Sequence, residues 1–104
     1  MERILEEIDL SDNQISDISE LGYCRNLRRI NLENNRIGLV QRLDALRPLS
    51  ILESIRLTGN TIRDEKHYRL RVVFRLRGLN KLDEIIVSAK DKVKAANLHG
   101  NDLP

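Results

Sequence analysis

One spacing constrains this chain more than any other. Leu5-xx-Ile8-x-Leu10-xx-Asn13-x-Ile15-xx-Ile18-xx-Leu21 returns as Leu27-xx-Ile30-x-Leu32-xx-Asn35-x-Ile37-xx-Val40-xx-Leu43, with every position moved by 22 residues. A third copy, Leu52-xx-Ile55-x-Leu57-xx-Asn60-x-Ile62, starts 25 residues after the second, its extra length falling between Leu43 and Ile51. A fixed period of this size is the mark of a solenoid, in which each unit buries its apolar face only against its neighbours.

The L-x-L part of each unit alternates in and out and reads as a short parallel strand with its Leu and Ile side chains in the core. Pro48 falls at the end of a convex segment, where it is tolerated. Where the chain turns out of each strand it leaves backbone groups without partners. A buried side-chain amide can satisfy them and link one coil to the next. Asn13, Asn35 and Asn60 are therefore read as structural.

Composition agrees with such a core. Hydrophobic residues make up 40% of the 104 residues and aromatics only 3%, so Leu, Ile and Val must fill the interior, with Tyr23, Tyr68 and Phe74 as the large anchors. The net charge of +2 hides a division: residues 1–22 hold seven acids against one arginine, a net of −6, and the remaining 82 hold 17 bases and nine acids, a net of +8. Such a split favours electrostatic steering of a partner. Cys24 is the only cysteine and has no intrachain partner, which points to a reducing compartment. The expected setting is the cytoplasm, including cytoskeletal or ciliary assemblies, or the nucleus. No apolar run has the length of a membrane span, so no membrane partner is expected.

After the third copy, Asp64 and Glu65 open a helical stretch that Arg75 and Arg77 close before Gly78, matching the helix dipole at both ends. Its Leu70, Val73, Phe74 and Leu76 are placed to cover the last strand. Ser88-xx-Asp91 has the spacing of a helix N-terminal box, followed by a short basic helix from Lys90 to Asn97 with an exit at His99-Gly100-Asn101-Asp102. Only four residues precede Leu5, and none reads as a capping helix. That edge is either self-sufficient, its Glu6, Glu7 and Asp9 discouraging stray strand pairing, or covered by a partner or further chain.

From Leu5 to Val87 the pattern resembles the 22-residue class of leucine-rich repeats, found in the protein phosphatase 1 regulatory subunit, the spliceosomal A-prime protein and axonemal dynein light chain 1. Asn60-Thr61, Tyr68-Arg69 and Leu76-xx-Leu79-xx-Leu82-Asp83-xxx-Val87 resemble the cap that closes such arrays, with Thr61 and Arg77 where proline is usual. The expected fold is α/β: a short leucine-rich-repeat solenoid with a parallel concave sheet, a helical or irregular convex side and a C-terminal helical cap. It forms one domain over 1–104, with repeats at about 5–26, 27–51 and 52–63, a cap at about 64–87 and a C-terminal helix at about 88–98.

Catalytic constellations are missing from the sequence. His67 and His99 lie beside no nucleophile motif, Cys24 has no CxxC partner, and the five glycines form neither a P-loop nor a dinucleotide fingerprint. A non-enzyme without metal or cofactor is expected. The positions between core residues map a concave face instead, with Glu7, Asp9, Arg28, Arg29, Asn31, Glu33, Glu53 and Arg56 as candidate partner-binding residues. Arginine forks suit interface hot spots, although the same arginines could pair with neighbouring acids. A second basic surface, Lys66, Arg69, Arg71, Arg75 and Arg77 with Lys90, Lys92 and Lys94, suits phosphate less well, because residues 1–22 are acidic and stacking aromatics are scarce.

Three functions follow. The first is a scaffold that holds a protein on the concave face, in a cytoskeletal or ciliary assembly. The others, implied by the resemblance, are a ribonucleoprotein assembly factor of the A-prime kind with basic helices near RNA, and a phosphatase regulator.

Overall fold

The computed structural model describes residues 4–101, with side chains described as far as residue 98. Its frame is a five-stranded sheet in sequence order: β1 (Glu7–Asp9), β2 (Arg29–Asn31), β3 (Ser54–Arg56), β4 (Lys81–Leu82) and β5 (Ile85–Ile86). The first four strands are parallel, with Ile8, Ile30, Ile55 and Leu82 in one register line, and β5 returns antiparallel to β4. This is the leucine-rich-repeat solenoid that the spacing predicts. The cap contributes a fourth parallel strand, for Leu79-xx-Leu82 repeats the Leu52-xx-Ile55 spacing.

Each coil turns inward at the same places. Leu27, Leu32, Ile37 and Leu43 of the second coil and Leu52, Ile55, Leu57 and Ile62 of the third are buried in one continuous core. The return segments are too short for α-helices and wind instead as 3-10 helices, Ser19–Tyr23, Val40–Leu46 and Thr61–Asp64. The second is the longest of the three, where the extra residues of that repeat fall.

The chain leaves each of the first three strands through a left-handed residue directly ahead of the repeated asparagine: Asp12, Asn34 and Gly59 all have positive φ. Asx residues and glycine are the types that tolerate this conformation. Asn34 Nδ2 donates to Asp12 Oδ1 at 2.8 Å, and Gly59, lacking a Cβ, leaves room for the Asn34 side chain above it.

Two helices form the cap. α1 (Tyr68–Arg75) starts later than the acidic pair Asp64-Glu65 suggests, because Glu65 is extended and His67 is left-handed with φ 57°. That break carries the chain from the convex side to the cap and turns Tyr68 inward. Val72, Val73 and Leu76 are buried beneath it; Leu70 and Phe74 are half-buried. Tyr23, read from sequence as a core anchor, is 81% exposed, since it ends a 3-10 turn that has already seated Leu21.

α2 (Ala89–Asn101) packs on α1 through Ala95. Its first turn is closed reciprocally: Ser88 N donates to Asp91 Oδ2 at 3.0 Å and Asp91 N to Ser88 Oγ at 3.1 Å. The helix runs on through residues 99–101, where the sequence suggests an exit, since one Gly100 without a following proline does not stop it. The side chains of His99, Gly100 and Asn101, and all of Asp102, lie outside the described residues.

Candidate interaction face

The asparagines sit at the seams between coils. Asn35 Nδ2 donates to Leu32 O in its own coil and to Leu10 O in the preceding one, while its Oδ1 accepts from Ile15 N. Asn60 repeats the arrangement with Leu57 O, Leu32 O and Ile37 N. Both amides are buried and point back to the preceding coil. Asn13 is exposed and reaches only Leu10 O and Ser11 O of its own coil.

On the other side of the strands the outward side chains line a shallow groove of about 150 Å³, formed by Glu7, Asp9, Arg29, Asn31, Ser54, Arg56 and Glu84 with Ile8 and Ile30 at its floor. Typical small-molecule pockets are roughly 300–1,000 Å³. The groove is too small and open for such a ligand.

The charges of this face are stacked in rows. Arg28 lies 3.2 Å from Glu6 and 3.7 Å from Glu53; Arg29 lies 3.3 Å from Glu7 and 3.4 Å from Glu53. Arg56 spans Glu33 at 3.6 Å and Glu84 at 3.4 Å. All three arginines are thus held by neighbouring acids. Exposed pairs of this kind contribute roughly 0–1 kcal/mol each, so their consequence is orientation more than stability. Asp9 accepts from Ser11 N at 2.9 Å and Ser11 Oγ at 2.6 Å, and these bonds hold its carboxyl below the usual aspartate range. Asn31 Oδ1 accepts from Glu33 N at 3.0 Å. Arg56 Nε is buried and faces the Glu84 carboxylate 3.4 Å away.

Sequence reasoning missed Glu84 here and placed Asp83 only within the cap motif. Glu84 joins the groove from the β4–β5 turn, and Asp83 beside it anchors the cap: its Oδ1 accepts from Leu57 N at 2.6 Å, its Oδ2 from Tyr68 Oη at 2.8 Å, and Arg63 Nε lies 3.5 Å away. Burial and the Asp83 bond push the Tyr68 phenol far above its ordinary range. The Leu79-xx-Leu82 spacing was the signal that a further strand, and its exit residues, belonged to the same face.

The basic cap surface is less continuous than its sequence suggests. Lys66 and Arg77 lie outside α1. Arg69 donates to Ile86 O at 2.8 Å and lies 3.3 Å from Asp91, clamping β5 and α2 to α1; Arg75 lies 3.3 Å from Asp44, and Arg77 stacks over Phe74. Lys90, Lys92 and Lys94 are exposed on α2. Among the described residues no group of three or more His, Cys, Asp or Glu is placed to hold a metal ion, and no helix is long and apolar enough to cross a membrane.

Residues 5–49 match the family described as Leucine Rich repeats (2 copies). The chain is 35% identical over 100 residues to the human Leucine-rich repeat-containing protein 36, covering 95% of this chain and 13% of that protein. It is 29% identical over 115 aligned positions to the U2 small nuclear ribonucleoprotein A' of Arabidopsis thaliana, covering 88% of this chain and 46% of that protein. It therefore spans less than half the length of either relative. The crystal structure of the Drosophila melanogaster SNF/U2A' complex contains a chain that superposes with a TM-score of 0.88 at 28% identity, over 95% of this chain and 60% of that one. Repeat spacing, asparagine seams, cap and relatives agree: the chain is a leucine-rich-repeat protein, a short capped array similar to that of the spliceosomal A-prime proteins.

Proposed function

We propose that the chain is a non-catalytic protein-interaction module of a nuclear ribonucleoprotein assembly, and that it holds a protein partner on the concave face. The observation that carries this reading is the row of guanidinium groups that neighbouring acids hold in place along the concave face, with Arg56 in the groove between Glu33 and Glu84. A carboxylate of a docked protein can take the place of Glu33 or Glu84 at this fork. The ion pairs of Arg28 and Arg29 hold two more guanidinium groups ready beside it. The A-prime relatives, one of them solved in a complex with SNF, support the ribonucleoprotein setting over the cytoskeletal or ciliary one and over phosphatase regulation.

The test is capture from nuclear extract treated with nuclease. Wild-type protein should retain a defined protein species after nuclease, and the triple variant R28E/R29E/R56E should lose it at least tenfold with unchanged circular dichroism. Undiminished capture by the folded variant would sink this reading. Capture abolished by nuclease, and weakened instead by neutralising Lys90, Lys92 and Lys94, would favour direct RNA contact.

A further inference from the structure

The cap carries a surface of its own, away from the concave face. Two cavities of about 250 Å³ and about 220 Å³ share Arg77 as a common wall. The first lies where the second convex turn meets the end of α1; buried Leu46, Leu49, Leu76 and Leu79 form its floor, and Arg47 and Arg75 stand beside them. The second lies between α1 and α2, on Val73, Phe74 and Ala96, with Lys92 completing it. Neither shares a lining residue with the concave groove. Both fall below the roughly 300–1,000 Å³ of small-molecule sites, a size for side chains rather than a cofactor.

Charge separates this surface from the groove, where acids face every arginine. None of the described residues that line the two cavities is acidic. Asp44, outside the lining, has one oxygen, Oδ1, that serves both Arg75 at 3.3 Å and Arg47 at 3.9 Å. The Arg75 side chain is only 15% exposed, and its Nη1 is buried without a hydrogen-bond partner. Two guanidinium groups on one carboxylate oxygen leave the first cavity cationic, and its apolar walls concentrate that field. Arg77 is fixed between the cavities: its Nε donates to Phe74 O at 3.4 Å, and its guanidinium lies 4.7 Å from the centre of the Phe74 ring.

Gly78 adds an independent sign. Its φ is not positive, and a Cβ there would meet nothing within 4 Å, so no local conformation or close approach calls for glycine. The missing side chain leaves the first cavity open.

An occupant must answer both properties, cations and apolar cavities. Phosphates of RNA would meet the cations and leave the aliphatic floors unfilled, and Phe74 lies under Arg77 rather than open to a base. We propose that this surface docks an acidic segment of a partner protein, whose carboxylates pair with Arg47, Arg75 and Arg77 while aliphatic side chains enter the cavities that Arg77 divides. It is a second interface, independent of whatever the concave face holds.

The probe is a fluorescent peptide of sequence Glu-Leu-Glu-Glu-Leu-Glu, followed by anisotropy and by amide chemical shifts of the protein. Binding should saturate and shift the amides of Ser50, Gly78 and Ala96. R77E should weaken it by about fivefold or more. Gly78→Val, which has room for its side chain and fills the first cavity, should do the same with unchanged circular dichroism. R28E/R29E/R56E should bind the peptide as wild type does, so that this result is read apart from partner capture by the concave face. Absence of saturable binding, or binding undiminished in both R77E and Gly78→Val, would overturn the proposal. Equal binding of a peptide with serine in place of leucine would overturn the role of the cavities. Tighter binding of a uridine hexanucleotide, lost in R77E, would overturn the peptide in favour of nucleic acid, and the same amide shifts on concentrating the protein alone would overturn it in favour of a second copy.

Discussion

Asn35 shows what a single side chain does in a coil this thin. Its amide satisfies three carbonyls and one N–H from two coils at once, in a place closed to water. Asn35→Ala leaves these groups unpaired and should cost about 1–3 kcal/mol. Asn13→Ala, at the exposed equivalent, should cost well under about 1 kcal/mol; urea unfolding of the two variants checks the contrast, which equal losses would contradict. Gly22 is a second sensitive position, since a Cβ there would meet the carbonyl oxygen of Ala45 on the neighbouring convex turn. Gly22→Ala should destabilise by about 1–3 kcal/mol through backbone displacement, read in the same titration. The seam asparagines were visible in the sequence because they share the hydrophobic period. Gly22 was not, because its constraint comes from how closely two convex turns approach, which no spacing records.

At the level of elements, the cap hangs on the Tyr68–Asp83 bond between α1 and the β4–β5 turn. The phenol is held neutral in the fold, and its unfolded value is near 10. Its contribution is therefore complete below about pH 10 and is lost as pH rises beyond that, at about 1.4 kcal/mol per pH unit. Tyr68→Phe should lower stability by about 1 kcal/mol at neutral pH and remove that alkaline slope. Denaturant titrations between about pH 8 and pH 11.5 distinguish the two proteins, and parallel curves would show that the phenol is not held. The strands and their register were legible because apolar alternation and the asparagine fix both. The start of α1 was not: acidic residues at Asp64 and Glu65 mimic a helix entry, while the left-handed turn at His67 that delays it serves tertiary packing. The Asp83-Glu84 turn was hidden for a similar reason, since both residues take positive φ without the glycine that usually marks such a hairpin.

For the whole molecule, the outcome of folding is a face whose charges are ordered before any partner arrives. Sequence placed Arg28, Arg29 and Arg56 on one side of the sheet, but whether they stood free or paired depended on side-chain reach across coils, and the structure pairs each with acids of adjoining coils. Such rows exchange one carboxylate for another at little cost, which suits recognition more than anchoring. The claim at the centre of this account is that the partner sits on that face. A photoactivatable crosslinking residue at Ser54, in the groove, and at Gln41, on the convex side, tests it directly in nuclease-treated nuclear extract. The account predicts one protein joined at Ser54, lost with R29E/R56E, and none joined at Gln41; the same protein joined at Gln41 and not at Ser54 would contradict it.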